Sequence, residues 1–85
     1  MKVEIVMSSS CPYCINAVKW LDTHNVPHTK TIMNDYRERL PFYEKHGVST
    51  VPQIFVDDFR IGGFSDLVVS DFAKKVISGE ITFDK

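Results

Sequence analysis

The only two cysteines of this chain stand three residues apart, between a predicted strand and a predicted helix. Residues 2–7 alternate polar and apolar side chains in their first half, as a half-buried strand does. After a polar turn of three serines, apolar residues recur at helical spacing, and Pro12 falls where a helix can start without losing a hydrogen bond. The fold must therefore present Cys11 at a helix N-terminus.

This position predicts redox chemistry for the cysteine pair. The unpaired N–H groups and the positive dipole end of a helix N-terminus stabilise an anion, which favours the thiolate form of Cys11. Cys14 lies one turn later on the same face of the helix, within disulfide reach of Cys11. We therefore predict a dithiol redox site.

Length and charge narrow the protein class. A chain of 85 residues has room for one small domain, residues 1–85. A net charge of −1 gives no general attraction to nucleic acid or to an anionic membrane. No apolar run approaches the roughly 20 residues of a membrane span, and the N-terminus does not resemble a signal peptide. We expect a cytoplasmic monomer, in which a cysteine pair is more often catalytic or redox-sensing than structural.

The first half of the chain alternates strands and helices. The first helix is followed by a predicted strand at residues 28–33, then by a helix that Asn34 or Asp35 can cap and that Gly47 ends. Pro41 leaves the start of this second helix open. A start near Asp35 would place the proline inside the helix and kink it, whereas a later start would place it in the first turn.

The second half is predicted to be a hairpin and one helix. Residues 53–56 and 59–61 form the two strands, 57–58 the tight turn, and the glycines 62–63 precede a last helix that Ser65 can cap. The apolar stripe of this helix, which a glycine ends, is predicted at Leu67, Val68, Phe72, Val76 and Ile77, with the end at Gly79. The order β-α-β-α-β-β-α combines a right-handed parallel crossover with antiparallel strands.

Three segments carry a family resemblance: Cys11-Pro12-Tyr13-Cys14, Thr50-Val51-Pro52-Gln53-Ile54-Phe55 and Ile61-Gly62-Gly63-Phe64-Ser65-Asp66-Leu67. In this order and spacing they resemble the glutaredoxins, the small dithiol branch of the thioredoxin-fold family, over almost the whole chain. A lone CxxC also occurs in zinc sites and unrelated redox proteins, so the three segments together are what is specific. The resemblance implies an α/β, thioredoxin-like fold with a central four-stranded mixed sheet flanked by helices.

The resemblance also implies an activity. The protein would be a glutathione-dependent thiol–disulfide oxidoreductase that reduces protein disulfides and glutathione mixed disulfides. Cys11 would attack the substrate, and Cys14 would then form a redox-active disulfide with Cys11. No cofactor would stay bound, because glutathione would be the electron donor, with glutathione reductase and NADPH upstream. Disulfide-containing or glutathionylated proteins would be the clients, with ribonucleotide reductase as one candidate.

A glutathione site follows from the same resemblance. Val51–Pro52 would be a cis peptide bond that leaves the N–H and C=O of Val51 free to pair with a bound peptide. The start of the last helix, at Ser65 and Asp66, would bind one glutathione carboxylate, and Arg39 would bind the other. The predicted glutathione-binding residues are Tyr13, Arg39, Thr50, Val51, Pro52, Gly63, Phe64, Ser65 and Asp66.

Two departures from the family pattern bear on the electron donor. Ser8 stands where many glutaredoxins have Lys or Arg, which keeps open the alternative of a related redoxin reduced by thioredoxin reductase. The segment from Gly62 to Asp66 favours glutathione. Phe64 replaces a frequent Cys or Tyr, so no third thiol is available to regulate the site.

Metal binding is the alternative from another class. Cys11 and Cys14, together with His24 and His28, superficially resemble a zinc finger with two cysteines and two histidines. The nine residues between the pairs are fewer than the usual twelve or so, and Pro27 breaks the helix that should carry both histidines. An iron–sulfur cluster shared by two chains through Cys11 and glutathione is a further alternative. The prediction is a site without metal.

Overall fold

The computed structural model describes residues 1–83, which form four strands and four helices. The strands are β1 (Val3–Met7), β2 (Thr29–Ile32), β3 (Gln53–Val56) and β4 (Phe59–Gly62). The helices are α1 (Pro12–Thr23), α2 (Tyr36–His46), α3 (Phe64–Val68) and α4 (Asp71–Ser78). Within this part of the chain, no helix has the length and apolar character needed to cross a membrane.

The strands form one mixed sheet in the order β2-β1-β3-β4. β1 runs parallel to β2 and antiparallel to β3, where Ile5 lies opposite Ile54. β3 pairs antiparallel with β4 across a turn in which Asp57 and Asp58 have φ values of 50° and 68°, as a tight two-residue hairpin turn requires. The predicted mixed four-stranded sheet flanked by helices is confirmed.

Side chains of β1 alternate between two differently covered faces of the sheet. Val3, Ile5 and Met7 belong to the main apolar core, which α1, β3 and α3 complete. The opposite face carries Val6 and Phe55, and α2 covers this face. The core face also holds Cys14, so packing of the sheet fixes the second sulfur of the predicted site.

The start of α2 shows whether Pro41 lies in the first turn of the helix or inside it. Asp35 is the N-cap, and its carboxylate accepts a hydrogen bond from the Arg37 N–H at 2.9 Å. Pro41 therefore lies inside the helix, where it has no N–H to donate. Gly47 ends the helix in the left-handed conformation, with φ of 63°, as predicted.

The prediction of a single last helix is wrong, because the chain breaks it into α3 and α4. The Ser70 hydroxyl donates to the Leu67 C=O at 2.6 Å and accepts from the Ala73 N–H at 3.0 Å. It thus satisfies one backbone group at the end of α3 and one at the start of α4. Gly79 ends α4 with φ of 81°, at the predicted residue.

This break changes the roles of residues around it. Ser65 was predicted as a helix cap but lies inside α3, and Gly63 takes the N-cap position. Val68 and Ile77 were assigned to the apolar stripe, yet their exposed fractions are 38% and 63%. Leu67 and Phe72 are buried as predicted, because each belongs to a helix with its own orientation.

Candidate active site

The two cysteine sulfurs occupy different environments at the start of α1. Cys11 is the N-cap residue, with extended backbone (φ −83°, ψ 120°), and its side chain is half-buried. Cys14 lies in the first turn, has an exposed fraction of 0% and belongs to the apolar core. Both are free thiols. One sulfur is thus accessible from outside, and the other is enclosed directly beneath it.

A single side chain organises the turn that precedes Cys11. Asn34, in the loop between β2 and α2, accepts hydrogen bonds at its Oδ1 from the Ser9 N–H at 2.8 Å and from the hydroxyls of Ser9 at 3.1 Å and Ser8 at 3.3 Å. Ser8 is 6% exposed and is therefore enclosed. Asn34, predicted as an alternative helix cap, instead joins two loops beside the cysteines.

The pKa of the Cys14 thiol is raised to about 12, and burial is the largest cause. The neighbouring Cys11 is a second cause, through a hydrogen bond between the side chains and through its negative charge when ionised. The Ser8 backbone N–H and the positive charge of Arg39 act in the opposite direction. The Cys14 sulfur is therefore protonated at neutral pH.

The loop before β3 contacts the accessible sulfur. Val51–Pro52 is a cis peptide bond, as predicted. The Cys11 thiol donates to the Val51 C=O at an Sγ–O distance of 3.7 Å. Within residues 1–83, the Val51 N–H has no backbone partner, so it is available to a bound peptide. The expectation that both groups of Val51 are free thus holds for the N–H, whereas the C=O contacts Cys11.

Next to this loop lies a cavity of about 630 Å³. The predicted glutathione-binding residues other than Arg39 all line it: Tyr13, Thr50, Val51, Pro52, Gly63, Phe64, Ser65 and Asp66. Tyr13 is 65% exposed and forms part of the wall next to the cysteines. The structure therefore brings the three motif segments together around one cavity.

Arg39 is placed apart from the other predicted residues. Its Nη1 donates to the Met33 C=O at 2.9 Å, and its guanidinium lies 5.7 Å from the centre of the Tyr36 ring. The positive charge of Arg39 acts to lower the pKa of Cys14, against the larger effect of burial, but Arg39 does not line the cavity. The role of Arg39 in binding a carboxylate stays a prediction.

Three polar residues of the cavity, Ser49, Gln53 and Arg60, were missed by the sequence analysis. Gln53 is 4% exposed and Arg60 is exposed, and both line the cavity. The hairpin register contained a usable signal, because Arg60 pairs with Phe55 and so shares a face of the sheet with Gln53. The missed residues of the lining are Val48, Ser49, Gln53 and Arg60.

The glycine pair shapes the far wall of the cavity. Gly62 has φ of 122°, and a Cβ there would lie 2.5 Å from Oδ2 of Asp66. That same oxygen accepts a hydrogen bond from the Gly63 N–H at 3.0 Å. Glycine at position 62 is thus required both by the backbone conformation and by the fold-back of the Asp66 carboxylate.

The residues of the zinc alternative do not form a metal site. His24 stacks on Trp20 with ring centres 4.3 Å apart, and Nδ1 of His28 lies 2.8 Å from the Val26 C=O. In the part of the chain that the structure describes, no three His, Cys, Asp or Glu side chains are grouped so as to hold a metal ion.

Comparisons with known proteins agree with this geometry. The family model described as Glutaredoxin matches residues 3–61. Glutaredoxin 1 of Rickettsia typhi is 42% identical over 68 residues, which cover 76% of this chain but only 65% of that relative, just under two thirds of its length.

Solved structures extend the comparison to the fold. The crystal structure of glutaredoxin 1 from Francisella tularensis, complexed with cacodylate, superposes with a TM-score of 0.82 at 39% identity and covers 91% of this chain and 96% of that one. The buckwheat glutaredoxin–glutathione complex gives a TM-score of 0.76, covers 89% of this chain and 73% of that one, and is 18% identical. At that identity the buckwheat structure supports the fold alone.

Proposed function

This chain belongs to the glutaredoxin family, and from that premise we propose that it reduces disulfides with electrons from glutathione through Cys11 and Cys14. The observation that carries the proposal is the unequal placement of the two sulfurs. Cys11 is accessible at a helix N-terminus beside the cavity, and Cys14 is enclosed beneath it. Such a pair can act in two successive steps: Cys11 forms a bond with the substrate, and Cys14 then releases the substrate from Cys11.

In the first step, the Cys11 thiolate attacks one sulfur of a substrate disulfide. A mixed disulfide forms between Cys11 and that sulfur, and the other substrate sulfur leaves as a thiolate that takes up a proton. The backbone N–H groups at the start of α1 stabilise negative charge on the Cys11 sulfur. The Val51 N–H supports the substrate chain by pairing with its backbone.

In the second step, Cys14 attacks Cys11. Once Cys11 is part of a mixed disulfide, it no longer carries a negative charge or competes as a hydrogen-bond partner, so two causes of the raised pKa of Cys14 disappear. Burial remains the largest cause, and the Ser8 N–H and the Arg39 charge still favour the thiolate. Cys14 then loses its proton more easily, attacks the Cys11 sulfur and expels the reduced substrate.

Glutathione completes the cycle. One glutathione attacks the Cys11–Cys14 disulfide at Cys11, and a second releases oxidised glutathione, so two thiols of glutathione are oxidised for each disulfide reduced. For a glutathionylated protein, Cys11 takes the glutathionyl group directly from the substrate and leaves the protein thiol free. Cys14 is not needed in that reaction.

We assign glutathione to the cavity beside Cys11. Its wall contains Tyr13, the Val51 N–H and the loop from Gly63 to Asp66. The buckwheat glutaredoxin, which shares the fold, is in complex with glutathione, and the assignment to this cavity rests on the residues that line it. That complex does not establish which residues of this chain bind glutathione, so substitutions have to test them.

The biological setting is part of the proposal. We place the protein in the cytoplasm, as a monomer whose reductant is glutathione and whose clients are disulfide-containing or glutathionylated proteins. Ribonucleotide reductase is one candidate client. The clients need only a reachable disulfide, because Cys11 is the one residue that forms a bond with the client.

Two single substitutions test the division of labour. Coupled to glutathione reductase and NADPH oxidation, Cys11→Ser abolishes turnover of both a protein disulfide and a glutathionylated peptide. Cys14→Ser keeps turnover of the glutathionylated peptide but loses that of the protein disulfide. Equal loss from both substitutions would falsify the two-step scheme. Reduction by thioredoxin reductase without any reduction by glutathione would refute the electron donor.

A further inference from the structure

Arg60 supplies the positive charge of the cavity. Among the lining residues that the structure describes, it is the one cation, and Asp66 is the one anion. The Asp66 carboxylate is turned toward the Gly63 N–H, and no ion pair between it and Arg60 is present in residues 1–83. An acidic group that enters the cavity therefore meets one full positive charge, on β4.

A chain of hydrogen bonds holds that charge in place. Nη1 of Arg60 donates to Oε1 of Gln53 at 3.3 Å. Nε2 of the buried Gln53 donates in turn to the Thr50 C=O at 3.0 Å and to the Thr50 hydroxyl at 3.3 Å. Thr50 precedes Val51, whose C=O contacts the Cys11 thiol. The guanidinium is thus tied to the same loop that contacts the reactive sulfur.

The guanidinium retains capacity for a ligand. It has five N–H donors in a planar fork, of which Gln53 occupies one nitrogen. The remaining edge matches a carboxylate, which accepts two parallel hydrogen bonds from such a fork. Because Arg60 is exposed, the binding effect is moderated by solvent and by salt.

We propose that Arg60 is a specificity-determining residue that binds a carboxylate of the glutathionyl group while Cys11 reacts with its sulfur. The inference rests on the proposed function, since it concerns the same cavity and the same substrate. Glutathione carries two carboxylates, whereas a neutral thiol of similar size carries none. Arg60 thereby favours glutathione mixed disulfides over uncharged ones.

The test compares two mixed disulfides of one neutral peptide. The first carries glutathione, and the second carries the glutathione diester, in which both carboxylates are blocked. The second-order rate constant for transfer to the reduced protein is measured for the wild type, Arg60→Gln, Arg60→Lys and Lys74→Gln. Lys74 is an exposed cation of α4 outside the cavity, so Lys74→Gln matches the change in net charge.

For the glutathionyl peptide, Arg60→Gln lowers the rate constant by about 5-fold, the upper range for an ion pair at an exposed site. Arg60→Lys lowers it less, because the charge stays but the fork is lost. Lys74→Gln leaves it within about 2-fold, and 0.5 M salt narrows the gap between wild type and Arg60→Gln. For the diester peptide, all four proteins react at similar rates.

Two results would overturn the role of Arg60. One is an equal loss by Arg60→Gln with both peptides, which would mean that the substitution acts on the Gln53–Thr50 contacts or on an acidic group other than glutathione. The other is no loss with either peptide while the wild type reacts well. A wild type that does not react with the glutathionyl peptide would overturn the proposed function itself and Arg60 with it.

Discussion

The two faces of the sheet are covered by helices of opposite character. On the core face, Ile5, Ile54, Leu21 and Leu67 each have an exposed fraction of 0%. On the other face, α2 buries one residue, Tyr43, and contacts the sheet through aromatic rings around Phe55. The cysteines belong to the tightly packed side.

The sequences of the helices explain the difference. α1 places small and branched apolar residues toward the core, whereas α2 reads YRERLPFYEKH, with six charged or titratable side chains besides its tyrosines and an internal proline. α2 is anchored by the stacking of Phe42 and His46 near Phe55 and by the Asp35 cap. The tightly packed face thus holds the two cysteines in fixed positions, whereas the charged helix α2 covers the less tightly packed face.

The largest expected difference is between the reaction rates of the two cysteines, Cys11 and Cys14, on the core face. At pH 7.5, iodoacetamide should modify Cys11 at least ~1,000-fold faster than Cys14, because Cys14 is enclosed and its raised pKa leaves few thiolates. Mass spectrometry of the intact reduced protein should stop at one adduct. Two adducts should appear in denaturant. Rapid double modification of the native protein would mean that the core face opens around Cys14.

Core packing should separate the two faces in stability. Ile54→Ala, on the core face, should lower the free energy of unfolding by about 3 kcal/mol, because it leaves a cavity that the sheet and α1 cannot close. Phe42→Ala, on the α2 face, should cost about 1 kcal/mol, since Phe42 is only half-buried. Urea denaturation measures both. Ile77→Ala, at an exposed site, is the control, and similar losses for Ile54 and Phe42 would contradict the comparison.

The break between α3 and α4 gives a smaller effect on the core side. Ser70→Ala should cost about 1 kcal/mol, because the Ala73 N–H loses its cap and the Leu67 C=O loses its donor. Ser78→Ala removes a hydroxyl that donates to the Lys75 C=O at the exposed end of α4, and should change stability much less. Thermal unfolding of both variants provides the measurement. Equal shifts would show that Ser70 does not cap α4.

The smallest effect is a pH response confined to α2. The hydrogen bonds from the Arg37 side chain and N–H hold the pKa of Asp35 below its ordinary value of 3.8. A lowered folded pKa means that this stabilisation is complete above about pH 4 and is lost as the pH falls through the folded value. Helical Cα chemical shifts in the first turn of α2 should therefore decrease below pH 4.

The two helix caps provide the control for that response. The Ser70 hydroxyl at the start of α4 does not titrate, so the shifts of α4 should stay constant over the same range. Asp35→Asn keeps a capping side chain but removes the titrating group, and its α2 shifts should also stay constant. A pH response that persists in Asp35→Asn would assign the effect to another group.

Local patterns predicted much of the fold. The hydrophobic periods, the tight turn at residues 57–58 and the two glycine helix ends predicted the order of the four strands and the first two helices along the chain, with most of their boundaries. The break at Ser70 was missed because Val68, Phe72 and Val76 recur every four residues, as on one face of a continuous helix, although it is Leu67 and Phe72 that are buried. Only the tertiary position of α3 shows that one helix cannot bury both residues.

The parts of the site that lie in short motifs were predictable from the sequence. The part that depends on how the strands of the hairpin pair was not. The cysteine pair, the cis peptide and the glycine pair follow from short segments, and the structure brings them to one cavity. Arg39 and Arg60 are the same residue type, so the side chain alone does not show which of the two reaches the cavity. Their difference arises from the Phe55–Arg60 pairing across the hairpin and from the contact of Arg39 with Met33.

The enclosure of Cys14 also affects how a client protein would be released in the proposed reaction. In thiol–disulfide exchange, the three sulfurs lie in line. With Cys14 attacking Cys11 from the interior, the client's sulfur leaves on the opposite, outer side. In the proposed scheme, Cys14 forms no bond with the client at any step. Release of the client therefore places no requirement on the shape of the client's surface.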